Sequence, residues 1–309
     1  MSNIFDIILL PYVNRFTIWT APTAPHSFRA QKRGGYMAKF EKLRVSLARD
    51  EPGGLLEGVG DEPSVPTRTE FLRAAFSQPR TFLNRAGAKV NFIPIETPEG
   101  FAAGFFAKER PVPLKHEDLS PYMAENYEPA LFVMSLDKDQ VIWMEAGPVG
   151  SPKSILESFF SYLLKKTDLN QWQGFIRYFE TKGDYWDAVE RHRNEITKII
   201  FRYVPPNAFE GEKLAQRYHT AVQQQAKNEI LEETFKGQPG KMDPTSEMMR
   251  ANAEIAEQGA GERELRGRGN KVLYTSGRGR VTDTVDDDQM PDLKQPSLIQ
   301  QVILRLFGR

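Results

Sequence analysis

Ile196-Thr197-Lys198-Ile199-Ile200-Phe201-Arg202-Tyr203-Val204 is rich in β-branched and aromatic residues. In an extended chain Ile196, Lys198, Ile200, Arg202 and Val204 share one face, and Thr197, Ile199, Phe201 and Tyr203 share the other. Both faces are largely apolar, which is the pattern of a central strand covered on both sides. Pro205-Pro206-Asn207 ends it, because proline has no N–H to give to a ladder. Downstream, Leu214, Tyr218, Ala221 and Val222 recur at helical spacing between Glu212 and Lys227. Asn228 to Phe235 reads as a half-polar strand, broken at Gly237-Gln238-Pro239-Gly240. A second helix starts with Asp243 as N-cap, Pro244 at the first position and Glu247 in the first turn. Its apolar stripe is Met248, Ala251 and Ile255, interrupted by Asn252, and Gly259 and Gly261 stop it. Arg263 to Ser276 returns as a strand or hairpin bent at Gly267-Arg268-Gly269-Asn270. The block around the quoted strand therefore reads β-α-β-α-β.

The first half is hairpin-rich. Val90 to Ile95 and Phe101 to Ala107 flank the turn Thr97-Pro98-Glu99-Gly100, and Ala130 to Leu136 and Gln140 to Glu145 flank Asp137-Lys138-Asp139. Thr69 to Phe76 is a short helix, and Leu114 to Pro129 reads as an acidic loop. Ser151 and Pro152 open a longer helix with Ile155, Leu156, Phe159, Phe160, Leu163 and Leu164 on one face. Gln173 to Glu180 is a strand and Asp184 to Arg193 a helix. The expected class is α+β: a mixed sheet with hairpins in the first half and the β-α-β-α-β layer in the second.

The expected organisation follows. Residues 1–36 form a flexible N-terminal arm, since the text changes character at Met37 and no basic region precedes Ile4 to Val13 as a secretory signal requires. Residues 37–180 form the hairpin-rich domain and 181–277 the second block. Residues 278–296, with Asp283, Asp286, Asp287, Asp288 and Asp292, form an acidic linker. Residues 297–309 form a C-terminal amphipathic helix.

Forty-one basic and forty-one acidic residues leave zero formal net charge, which excludes a generally cationic nucleic-acid binder but not a local patch. The absence of cysteine excludes disulfides, thiolate metal sites and cysteine nucleophiles, and fits a reducing cytoplasm. No apolar run is long enough for a membrane helix.

Catalytic motifs are missing. His26, His116, His192 and His219 do not fall at metal-ligand spacing. Gly147 to Ser154 lacks the lysine–hydroxyl core of a phosphate loop, and Gly150-Ser151-Pro152 has the wrong spacing for a nucleophile elbow. Neither metal nor cofactor is expected. A carboxylate site assembled by the fold could still draw on Asp137, Asp139 and Glu145 near Lys138, or on Glu210, Glu212 and Lys213. The local charge asymmetry lies between residues 261 and 280, with six basic residues and two acidic ones. Arg263, Arg266, Arg268, Lys271, Arg278 and Arg280 are interleaved with glycine there, so forked donors on a pliable hairpin can reach DNA or RNA phosphates. At the other end, Leu298, Ile299, Val302, Ile303, Leu306 and Phe307 make one apolar face, with Gln300, Gln301 and Arg305 opposite. Following an acidic linker, this helix is expected to dock on a protein partner or a second copy of the chain, and its polar face has too few cations for a membrane.

The hairpin ending Ala146-Gly147-Pro148, the Ser151-Pro152 helix, the strand ending Pro205-Pro206-Asn207, the Asp243 helix closing at Gly259 to Gly261 and the basic hairpin occur in an order that resembles poorly characterised bacterial families associated with phage defence. The resemblance implies a DNA- or partner-binding defence component and supplies no catalytic residues. The sequence reading is therefore a non-enzymatic cytoplasmic interaction protein, with a metal-dependent nuclease and a structural subunit as alternatives.

Overall fold

The computed structural model describes residues 37–49, 66–137, 140–181, 183–203, 230–257, 261–292 and 295–308. The expected N-terminal arm and the helix expected over 212–227 lie outside them.

The main sheet takes β1 (Met37–Arg49), β2 (Arg80–Leu83), β3 (Lys89–Ile95), β4 (Phe101–Glu109), β7 (Tyr127–Ser135), β8 (Val141–Glu145), β9 (Trp172–Tyr178) and β14 (Thr282–Asp286). Its order is β14-β1-β8-β7-β4-β3-β2, with β9 also on β1. The class is α+β, as expected. Every described pairing is antiparallel rather than mixed: short turns join β2–β3, β3–β4 and β7–β8, and β8, β9 and β14 each run against β1. Strands β5 (Val112–Lys115) and β6 (Pro121–Ala124) pair apart from this sheet. They replace the acidic loop expected over 114–129, where two prolines and the lack of any β-branched residue hide the alternation.

Helices α1 (Arg68–Phe76) and α2 (Pro152–Lys166) cover one sheet face. Thr67 caps α1 in a reciprocal box with Glu70, whose carboxylate accepts from the Thr67 N–H at 2.7 Å. The core beneath is aromatic: Phe76 stacks on Phe132 and Phe159, and Phe92 meets Phe106 at 4.9 Å. Gly104 on β4 is required there, since a Cβ would lie 2.5 Å from the Ile93 carbonyl oxygen and 2.6 Å from the Phe92 ring.

Helix α5 (Ile299–Phe307; α4 is described below) covers the opposite face. Ile299, Val302, Ile303 and Leu306 are buried against Phe40, Leu131, Val133 and Trp143. Leu298 and Phe307 are half-buried, and Phe307 meets Phe101 edge-on at 5.2 Å. This corrects the expectation of a partner-docking helix: its apolar face is spent on the chain's own sheet. The acidic linker is corrected too. Within it β14 pairs with Met37–Glu41 of β1 and buries Val285, so the chain re-enters the main sheet before α5. One buried valine among aspartates left that strand without a readable apolar pattern.

The second sheet is an insertion between β9 and β14. On one edge of β1, β9 occupies Leu43–Arg49 and β14 occupies Met37–Glu41. The two leave the edge at Lys42 and pair briefly with each other: Val281 N–H donates to the Phe179 carbonyl at 2.9 Å, and Thr181 N–H to Gly279 at 2.9 Å. Beyond this neck come α3 (Asp184–Arg191), β10 (Lys198–Tyr203), β11 (Leu231–Lys236), α4 (Glu247–Ile255), β12 (Gly261–Arg266) and β13 (Val272–Thr275). The order β11-β10-β12-β13 makes β10 central, as expected for this stretch, although its Lys198–Arg202 face is charged at both ends. Helix α4 starts at Glu247 after Ser246, three residues later than expected; Asp243 instead accepts the Thr245 N–H at 3.0 Å in the preceding turn. Its buried residues are Met249, Asn252, Ala253 and Ile255, whereas Met248 is 62% exposed. The buried face is rotated from the apolar stripe because Asn252 turns inward to donate to the Glu233 carboxylate at 2.9 Å.

Candidate polyanion-binding surface

Successive side chains of a strand point to opposite faces, so Lys198, Ile200 and Arg202 of β10 share the face opposite Ile199, Phe201 and Tyr203, with Ile200 buried on its face as well. Register fixes what stands beside them. Arg202 lies between Glu232 and Glu262, Ile200 between Thr234 and Glu264, and Lys198 between Lys236 and Arg266. The first two rows are neutralised internally: Arg202 Nε meets Glu232 at 2.8 Å, Arg202 Nη1 meets Glu264 at 3.1 Å, and Arg266 Nη2 meets Glu264 at 2.7 Å. The last row sets three cations side by side at the end of the sheet away from the neck. Like charges directly opposite one another on paired strands are destabilising; Arg266 is already held by Glu264, so in this row the cost falls on Lys198 opposite Lys236. The β12–β13 turn at the same end adds Arg268 and Lys271, both exposed. The turn passes Gly269 and Asn270 at φ 64° each, a left-handed pair that glycine and asparagine accept readily.

The six basic residues expected to act together are therefore separated. Arg268 and Lys271 sit with the cationic row, and Arg266 borders it while held by Glu264. Arg278 is exposed near the neck. Arg280 stacks over the Tyr178 ring at 4.2 Å and donates to Glu41 at 2.9 Å. Arg263 is 1% exposed and has no access to a phosphate. Lys198 and Lys236 were not among the six. They lie 38 positions apart and meet only through strand register, which no local pattern announces.

Arg263 instead anchors the insertion. Its Nε donates to Glu180 at 3.1 Å, its Nη2 also donates to Glu180, and its Nη1 donates to the Ala253 carbonyl at 3.2 Å. The Tyr185 ring lies under the guanidinium at 4.5 Å. The second Glu180 oxygen accepts the Gly277 N–H at 2.7 Å, and Tyr274 hydroxyl donates to the carboxylate at 3.1 Å. Burial first, and the Glu180 charge second, push the Tyr274 hydroxyl well up, so it stays a donor.

A cleft of about 210 Å³ lies between the neck, the start of α2 and the inserted sheet, lined by Ser151, Lys153, Arg177, Tyr178, Glu262 and Arg280 among others. Its charges are matched in place. Glu262 meets Lys153 Nζ at 3.0 Å and Arg177 Nε at 3.2 Å. Burial works against the Glu262 carboxylate, but the two cations more than offset it and hold its pKa below the usual range. Ser151 does not cap α2 with its side chain; its Oγ shares a hydrogen bond with Tyr178 hydroxyl at 3.1 Å. The cleft reads as an ionic seam that locks the insertion onto the main sheet.

Of the carboxylate sets, Lys138, Asp139 and residues 210–213 lie outside the described residues, and Glu145 accepts the Leu131 N–H at 3.1 Å. Among the described residues no group of three or more His, Asp or Glu could hold a metal ion, and no helix is long and apolar enough to cross a membrane. Comparison with protein-family models, curated proteins and solved structures finds no match to this chain.

Proposed function

We propose that this chain is a cytoplasmic interaction protein that binds nucleic acid, with the far end of the inserted sheet as its phosphate-contacting surface. The observation that carries the reading is the row Lys236–Lys198–Arg266, three cations in register on neighbouring strands, extended by the exposed Arg268 and Lys271. Cations on a rigid sheet are pre-positioned, so little side-chain ordering opposes contact with a phosphate backbone. With zero formal net charge, the chain has no general attraction for a polyanion, so binding would depend on a local patch such as this one. The resemblance to phage-defence families gives the proposal its biological setting. The test is fluorescence anisotropy with labelled single-stranded DNA, duplex DNA and single-stranded RNA between 50 and 200 mM salt. Five phosphate contacts give a slope of about −4 to −5 in log affinity against log salt on duplex DNA. Binding that is absent at low salt on all three probes, or that is insensitive to salt, refutes it.

A further inference from the structure

The far end of the inserted lobe is cationic on its helix side as well as on the open face of its sheet. Three segments meet there, held side by side by their backbones. Thr197 N–H donates to the Arg266 carbonyl at 2.8 Å, Gly237 N–H to the Thr197 carbonyl at 3.0 Å, and Gly267 N–H to the Lys271 carbonyl at 2.8 Å. Their charge is one-sided. Residues 191–198 carry three arginines or lysines and one acid, residues 236–243 two and one, and residues 266–271 three and none. Both acids are engaged locally. Glu195 meets His192 Nδ1 at 3.2 Å, and Asp243 accepts the Thr245 N–H at 3.0 Å and the Thr245 hydroxyl at 2.7 Å. The Thr245 bonds first, and the charges of Arg193 and Arg250 after them, hold the Asp243 carboxyl below the ordinary aspartate range.

The topology sets these cations on two levels. Helices α3 and α4 pack on the Ile199–Phe201–Tyr203 face of the sheet through Tyr185, Val189, Met249 and Ala253. Arg191 ends α3 and Arg193 follows it. Lys241 lies in the loop leading to α4, where a Cβ on the neighbouring Gly240 would stand 3.6 Å from Asn194 Oδ1. Arg191, Arg193 and Lys241 are all exposed. They form a second cationic group on the helix side, behind the Lys236–Lys198–Arg266 row. A packed layer stands about 10 Å from the one it covers, so roughly that distance separates the two groups.

A single strand offers its phosphates in one line and follows one group unless it bends round the end of the lobe. A duplex groove offers two lines, about 12 Å apart across the major groove of B-form DNA. Building on the nucleic-acid reading above, we propose that the ligand is duplex DNA straddled at its major groove. The open-face row with Arg268 and Lys271 meets one phosphate strand, and Arg191, Arg193 and Lys241 meet the other.

The test compares salt slopes on duplex DNA, single-stranded DNA and duplex RNA for the full chain and for Arg191→Gln/Arg193→Gln/Lys241→Gln. Eight phosphate contacts give a slope of about −7 on duplex DNA, and the five of the open face give about −3.5 on a single strand. The triple variant is expected to return the duplex slope to about −4 to −5 and to leave the single-strand slope unchanged. Duplex RNA, whose major groove is deep and narrow, is expected to show a lower slope than duplex DNA. A wild-type duplex slope of only about −4 to −5 overturns the straddle without needing any variant, and leaves the open-face contact standing if Lys198→Gln/Lys236→Gln still lowers it. An equal loss on single strand and duplex in the triple variant overturns it too, because one strand then reaches both groups. The full slope on duplex RNA overturns the match to this groove. Binding that is absent or insensitive to salt on every probe overturns this proposal and the nucleic-acid reading together.

Discussion

Replacing Glu180 by alanine removes the acceptor for three groups at once: the Arg263 guanidinium, the Tyr274 hydroxyl and the Gly277 N–H. Glu180 and Arg263 side chains are 2% and 1% exposed, so solvent neither screens the pair nor reaches the cation left behind. Truncating one partner of a buried pair costs about 3–5 kcal/mol, mostly from the uncompensated charge. For a domain of this size each kcal/mol lowers the midpoint by about 2–4 °C, so a drop of about 6–20 °C is expected by calorimetry. The double change Glu180→Leu/Arg263→Met removes both charges, and apolar pairs replacing buried ion pairs are often neutral. It should recover most of the loss, giving a coupling energy of about 2 kcal/mol or more in the cycle. The damage should also be local. The insertion joins the neck at Thr181 and Gly279, with Gly183 and Gly277 at positive φ, and amides of β10 and β12 should lose exchange protection before those of β4 and β7. A Glu180→Ala variant within about 1 kcal/mol of wild type, or a double variant as unstable as the sum of the singles, would refute the view that this pair clamps the insertion.

Lys198→Gln/Lys236→Gln should reduce the salt slope of nucleic-acid binding by about two while leaving the midpoint unchanged or slightly higher, because it relieves cross-strand repulsion; an unchanged slope places the contact elsewhere. Removal of residues 298–309 should expose the Phe40, Val133 and Trp143 face, lower the midpoint by more than about 10 °C and produce dye-detectable apolar surface; an unaffected midpoint would mean α5 adds nothing to the core. Gly104→Ala should destabilise by about 1–3 kcal/mol, since the methyl meets backbone at Ile93, measured by urea unfolding. Glu262 has a depressed folded pKa, so its stabilising contribution is present above the ordinary glutamate value of about 4.3 and is lost as pH falls through the lower folded value. Glu262→Gln should therefore flatten the acid limb of the stability profile below about pH 4.5 and nowhere else; an unchanged acid limb would show that Lys153 and Arg177 do not hold it.

What was legible in the sequence divides along a physical line. Elements whose cause is local could be read: the two apolar faces of β10, the Pro152 start of α2, and the turns that close β3–β4 and β7–β8. Errors arose where a distant partner decided. Asn252 turned α4 because Glu233 waited on β11. Val285 is a strand residue because β1 has a free edge over Met37–Glu41, and Arg263 reads as a phosphate contact in the sequence because its partner Glu180 stands 83 residues earlier. The length of β1 shows the same logic from the other side. Its thirteen residues exceed the strand average of about five or six, and the excess has a use: one edge must carry β9 and β14 end to end. The insertion can leave and return at Lys42 without breaking the sheet because both flanking strands keep a partner on β1. That arrangement fixes where the clamp must sit. Glu180 and Arg280 face each other as the last bridge of the neck. The Glu180 carboxylate lies in the neck, two residues past the end of β9, where the buried Arg263 of β12 meets it, while the far end of the lobe presents Lys198 and Lys236.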